Sequence, residues 1–201
     1  MTPFKAMQLR GVVPTTFDPL KCGPATVLSG GNLIATKNSG TANNIVLTTA
    51  SKTTGKHYFE IEITANYSPA PYIVVGVAPG SVSLTSFIGF DPASYGYHEQ
   101  LGEKANNNVF TSYGSPYSQG RVIGVALDLT VGAIWFARDN VWGASGDPAA
   151  GTNPAFTGVT GPLFGGVSIY NGSVNPVDVV TARFALGATT YSPPSGFLHW
   201  G

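Results

Sequence analysis

What this chain has little of narrows it first. A single cysteine, Cys22, excludes an internal disulfide framework, and neither a second Cys nor a His stands near it to build a metal site. Ten basic and ten acidic residues cancel. With Lys and Arg unclustered, the electrostatic footprint of nucleic-acid binding is missing, and so is that of docking on an anionic membrane. So few charges on a neutral chain disfavour a freely soluble monomer and suit a protein held in an assembly, with a homo-oligomer among the arrangements. No apolar run reaches the roughly 20 residues of a membrane-spanning helix, so no membrane insertion is expected. The start, MTPFKAMQLRGVV, lacks the apolar core and cleavage site of a secretory signal, which puts the expected place of synthesis and folding in the cytoplasm.

Motifs for chemistry are equally sparse. His57, His98 and His199 are far apart, and no His-x-x-x-His, Gly-x-Ser-x-Gly or phosphate-loop pattern occurs. The acids Asp91, Glu99, Glu103, Asp139 and Asp147 read as loop residues without calcium-loop spacing. No metal and no cofactor are expected. Glu60 and Glu62 share one strand face on the order of 6.5–7 Å apart, a separation compatible with a glycosidase pair. Alternation alone explains them equally well, as the polar outer face, with Tyr58, of an antiparallel strand.

What is present is β-structure. The 26 glycines and 15 prolines punctuate short apolar runs from end to end, the pattern of an all-β sandwich or barrel. No helical period is sustained; single-turn pieces are expected at most, near Ser83–Phe87. Strands are expected at Thr26–Leu28, Leu33–Thr36, Asn44–Thr48, His57–Thr64 and Tyr72–Ala78. Further strands are expected at Leu163–Tyr170, Val179–Leu186 and Phe197–Trp200. The clearest unit is Arg121–Asn140, RVIGVALDLTVGAIWFARDN. Ile123, Val125 and Leu127 share one face of its first arm, Trp135 opposes Ile134 and Phe136 on the second, and Gly132 supplies the positive φ of the turn. A hairpin apolar on both arms belongs in the centre of a sheet. Residues 1–17 show no strand-length alternation and read as an arm, either disordered or a docking segment that orders on a partner through Phe4, Met7, Leu9 and Arg10. Residues 18–201 read as one domain.

Several segments in order resemble the SPRY domain family. TTGKHYFEIEI is similar to its strand with a Gly-Lys turn before aromatic–Glu–apolar alternation, and YIVVGVA to the next core strand. SYGYHEQLGEKANNN resembles its paired aromatics around a Gly. RVIGVALDLTVGAIWFARDN resembles its most recognisable hairpin, and GPLFGGVSIYNG and VTARF its closing strands. ARDNVWGASGD departs from the family's usual Asn-Gly, and a longer loop follows. The flanks FDPLKCGPATVLSGGNLIAT and YSPPSGFLHWG are similar to those of SPRY-like domains in tailed-bacteriophage virion proteins.

The resemblance implies a single antiparallel, lectin-like β-sandwich that binds through loops at one rim and does not catalyse. The matching rim positions are Leu84–Phe90, with Leu84, Phe87 and Phe90, and Tyr170–Ser173, with Tyr170 and Asn171; Trp142 joins them from its longer loop. Tyr95 and Tyr97 are implied to pack in the core, whereas Tyr113 and Tyr117, outside the best alternating strands, read either as loop contacts or as core plugs. The leading expectation is a binding or structural module of a virion: capsid decoration, head fibre or tail adhesin. Its partners would be virion proteins and a glycan or host-surface ligand. The rivals are a carbohydrate-active enzyme on a lectin-like sandwich and an intracellular peptide-binding adaptor.

Overall fold

The computed structural model describes residues 14–37, 40, 42–66, 72–170 and 178–201. In chain order the strands begin β1 (Phe17–Cys22), β2 (Thr26–Ser29), β3 (Ile34–Lys37), β4 (Asn44–Lys52), β5 (Lys56–Ala65) and β6 (Tyr72–Ala78). Next come β7 (Tyr95–His98), β8 (Glu103–Asn106), β9 (Val109–Ser112), β10 (Val122–Asp128) and β11 (Ala133–Arg138). The last are β12 (Val141–Trp142), β13 (Phe156–Thr157), β14 (Leu163–Tyr170), β15 (Asp178–Arg183) and β16 (Leu198–His199). They form two sheets, ordered β1-β4-β14-β6-β7-β8-β9 and β12-β11-β10-β5-β15-β3-β2, with β13 and β16 attached to the second. All pairings are antiparallel except that of β16 with β5. The chain is an all-β sandwich.

Alternation builds the core between the sheets. Ile73, Val75 and Val77 of β6 and Val167 and Ile169 of β14 face Phe59, Ile61 and Ile63 of β5 and Ile123, Val125 and Leu127 of β10. At full burial each such side chain contributes on the order of 1.5–3 kcal/mol. Phe17, the last residue of the expected arm, opens β1 and is buried edge-on against Phe184 at 5.6 Å. Phe4, Met7, Leu9 and Arg10 lie outside the described residues.

Gly132 turns the β10–β11 hairpin at φ +68°, and the Asp128 carboxylate accepts the Thr130 N–H at 2.8 Å. β10 lies between β5 and β11, but β11 is flanked beyond only by the two-residue strands β12 and β13. Its apolarity therefore reflects cover on both faces, not a central place in the hydrogen-bonded order. Ser83–Phe87 forms no helix: Ser86 donates to the Ser83 carbonyl at 3.0 Å in a β-turn, and the single 3₁₀ turn among the described residues is Gly143–Ser145.

The face expected to be polar and exposed is sealed. Tyr58 and Glu60 are buried, because the C-terminal segment and the loop after β11 lie across them. The Thr190 and Tyr191 amides donate to the Glu60 carboxylate at 2.6 and 2.9 Å, and the Tyr58 hydroxyl donates to it at 2.8 Å. Trp135, Phe197 and the half-buried Trp142 complete this second apolar layer. Glu62, on the same strand face, pairs with Arg183. Both carboxylates are thus engaged by structural partners.

Candidate functional site

The outer face of the seven-stranded sheet is covered over one half only. Residues 79–94 fold back over it: Leu84 accepts from the Ile45 amide at 2.9 Å, and Ile88 N–H donates to Ser168 Oγ at 3.2 Å. Gly96 makes room for this cover, since a Cβ there would stand 2.4 Å from Val74 Cγ1 and 2.7 Å from the Ile88 carbonyl. Leu84 and Phe87 pack with Ile45, Leu47, Val74 and Ile88 beneath it.

Beyond the cover the described residues leave a hollow of about 370 Å³, lined by Asn43, Tyr72, Val74, Phe87, His98, Phe110 and Tyr170. Strand register puts these together. Tyr170 is opposite Tyr72 in the β14–β6 ladder, and Val74 opposite His98 in the β6–β7 ladder. Phe110 reaches in from β9 past Ala105, its opposite number on β8. The rings make one continuous row. Tyr170 meets Tyr72 at 5.6 Å edge-on, Tyr72 meets His98 at 5.3 Å, and His98 meets Phe110 at 5.3 Å. Phe110 then stacks on Phe87 at 5.6 Å, and Phe87 meets Phe90 at 5.5 Å.

The hollow is electrically quiet. Burial pushes the His98 imidazole down to about 4, so it is neutral at physiological pH. Its Nδ1 lies 3.9 Å from the Glu103 carboxylate, and neither ring nitrogen has a hydrogen-bond partner. Among the described residues, no Lys, Arg, Asp or Glu lines the hollow. Such a surface suits an uncharged, largely apolar side chain, for which the aromatic row supplies contact area while Asn43, His98 and the two tyrosines supply polar atoms. Among the described residues, no group of three or more His, Cys, Asp or Glu could hold a metal ion.

Of the residues expected at the rim, Phe87 and Tyr170 line the hollow and Phe90 adjoins it through Phe87. Leu84 instead anchors the cover. Trp142 belongs to the other sheet, edge-on to Tyr58 at 6.4 Å. Asn171 lies outside the described residues. Tyr97 packs in the core as expected, stacked on Phe136 at 5.7 Å, and Tyr113 and Tyr117 are core plugs too. Tyr95 is partly buried against that core. Tyr72, His98 and Phe110 were missed. Tyr72 was hidden in a run without alternation, His98 in the SYGYHEQLGEKANNN segment, and Phe110 in a short strand with no marked face. Glu99 and Glu103 are not loop acids of the kind expected: Glu99 is buried at the end of β7, and Glu103 belongs to β8.

Residues 56–176 match the SPRY domain family, and the chain belongs to it. A stretch of 132 residues, 57% of this chain, is 29% identical to the dual specificity protein kinase splA of Dictyostelium discoideum, covering 6% of that protein. Another of 86 residues, 42% of this chain, is 27% identical to Ran-binding protein 9 of Danio rerio, covering 14% of it. The chain thus spans a small part of the curated relatives it matches. Among solved structures, the SPRY domain of human HERC1 superposes with a TM-score of 0.63 at 20% identity, over 83% of this chain and 96% of that one. The TRIM65 PSpry domain superposes with a TM-score of 0.61 at 19% identity, over 84% and 88%. SPRY domains are in general non-catalytic modules that bind proteins.

Proposed function

We propose that this chain is a non-catalytic protein-binding module that takes an uncharged apolar side chain of a partner segment into the aromatic hollow. The observation that carries this reading is the unbroken row of rings from Tyr170 to Phe87, with no ionised group lining it among the described residues. Aromatic anchors in a desolvated pocket dominate many protein interfaces. A glycan suits the hollow less well, because sugar hydroxyls call for several polar partners and the lining, although it holds Asn43, His98 and two tyrosines, is mostly apolar ring surface. The test is selection from a displayed random-peptide library. Enriched peptides should share an aromatic or aliphatic anchor and lose binding to the Phe87→Ala/Phe110→Ala variant. Peptides that bind that variant equally well would overturn the assignment.

The module's setting is proposed to be an assembly, with a virion as the leading candidate and the N-terminal residues Phe4, Met7, Leu9 and Arg10 as the docking segment. Support comes from the near-zero charge and from the flanking segments' likeness to phage proteins. Purified native particles should contain the chain, and deleting residues 1–13 should release it; particles that lack the chain exclude this setting.

A further inference from the structure

Behind the hollow, on the inward side of the same strands, Glu99 follows His98 and Ile73 follows Tyr72. These two inward residues are bonded twice. The Glu99 amide donates to the Ile73 carbonyl at 3.0 Å, and the Ile73 amide donates to Glu99 Oε2 at 3.2 Å. The Glu99 side chain therefore prolongs the β6–β7 ladder one step beyond His98, where β7 ends. Its other oxygen accepts from the Asn66 amide. Tyr117 closes the unit: its hydroxyl lies 2.6 Å from the Tyr97 carbonyl and 2.9 Å from that of Ile73, sharing its one proton between them, and its amide donates to the Glu99 carbonyl at 3.1 Å. Tyr72 and His98, one residue away on the outward side, are the two rings in contact at 5.3 Å in the hollow wall.

We propose that Glu99 is the positioning residue of the hollow: its carboxyl splints the start of β6 to the end of β7, sets the spacing of Tyr72 and His98, and makes ligand binding depend on whether that carboxyl is protonated. This rests on the reading of the hollow as the binding site.

The surroundings make protonation matter. Glu99 is fully buried, and burial above all, with the nearby Asp178 adding to it, pushes its carboxyl up to about 8. The groups facing it are Asp178 of β15, the Tyr117 hydroxyl and the Asn66 amide; Lys37 of β3 stands opposite Asp178 in their ladder. On the outward side are His98, neutral above about pH 4, and Glu103. At neutral pH the acid is protonated and the splint carries no charge. Above about pH 8 the same group becomes an anion buried beside Asp178; the Ile73 and Asn66 donors hold it, but burial and Asp178 oppose it, and its relief is to draw in water or to shift away from Asp178.

The test uses the whole chain, with indole as a non-ionising aromatic probe and NMR of the Tyr72, His98 and Phe110 rings. Between about pH 6.5 and pH 9.5 the wild-type Tyr72 and His98 resonances should move with one midpoint near 8, and indole should bind several-fold more weakly at the high end. Glu99→Gln, which keeps an oxygen for Ile73 but cannot ionise, should hold neutral-pH ring positions and indole affinity throughout. Glu99→Ala, confirmed folded by its melting curve, should displace both rings at every pH. An unchanged pH response in Glu99→Gln, or none in the wild type, overturns the proposal. Indole affinity independent of pH and of both substitutions also overturns it while leaving the hollow as the site. Rings that titrate as expected without responding to indole uphold the splint and remove the hollow from the binding role.

Discussion

The Tyr58 hydroxyl donates a 2.8 Å hydrogen bond to Glu60 across a face of β5 that is closed to solvent. A Tyr–Glu pair on alternating positions normally marks a wet face; here it anchors the C-terminal segment, whose Thr190 and Tyr191 amides complete the carboxylate's coordination. Tyr58 is correspondingly held above its ordinary value, by burial first and then by the Glu60 charge.

Glu60→Ala removes the acceptor of the buried Tyr58 hydroxyl and of the part-buried Thr190 and Tyr191 amides and should cost roughly 2–4 kcal/mol in urea unfolding. Hydrogen exchange at the Thr190 and Tyr191 amides should accelerate more than at core strand amides. Equal acceleration everywhere would mean that Glu60 does not hold this segment.

Trp200 is fully buried, donates its backbone N–H to Tyr58 at 2.8 Å and its indole N–H to Ala50 at 3.1 Å, and meets Phe59 at 5.0 Å. Trp200→Ala should therefore destabilise by about 3–5 kcal/mol, as large deletions in cores do. A melting temperature near wild type would contradict the packing described.

Acid sensitivity should trace to His98. Its folded-state value of about 4 lies below the ordinary 6.5, so the folded chain binds fewer protons than the unfolded one between these limits. The stability concerned is present above pH 6.5 and is lost as pH falls through about 4, a change on the order of 3 kcal/mol. Glu99 has the opposite sign: its folded value of about 8 exceeds the ordinary 4.5, so its contribution is full below pH 4.5 and lost as pH rises through 8. Denaturant titrations of His98→Phe and Glu99→Gln should flatten the acid and alkaline limbs respectively; either variant flattening the other's limb refutes the attribution.

The two ends of the expected arm should behave differently on truncation. Deleting residues 1–17 removes Phe17 from the core against Phe184 and should cost about 3–5 kcal/mol relative to deleting residues 1–13. Equal melting temperatures for the two truncations would show that Phe17 contributes little.

The hollow was legible only in part. Phe87 and Tyr170 were found through family likeness, whereas nothing in YIVVGVA distinguishes Tyr72, which lies outward at the strand's start, from the residues around it. Phe110 falls in a short strand in which no local pattern marks the face it takes, until β8 and β9 pair and set it opposite Ala105 and in contact with His98. Glu99 shows the same gap: a carboxyl in a polar stretch reads as solvated, yet the ladder's end turns it inward onto Ile73.

By itself the sequence determined what is local and periodic. Alternation assigned Ile123, Val125 and Leu127 to one face, the need for positive φ assigned Gly132 to the turn, and the resemblance of the ordered segments implied a SPRY-like sandwich. Tertiary structure alone decided which outer faces are covered. Tyr58 and Glu60 are buried because a segment some 130 residues away in sequence lies over them. The aromatic row from Tyr170 to Phe87 is open because residues 79–94 cover only half of their sheet. Period two states which side chains share a face; whether that face meets water depends on long-range packing, which no local pattern encodes.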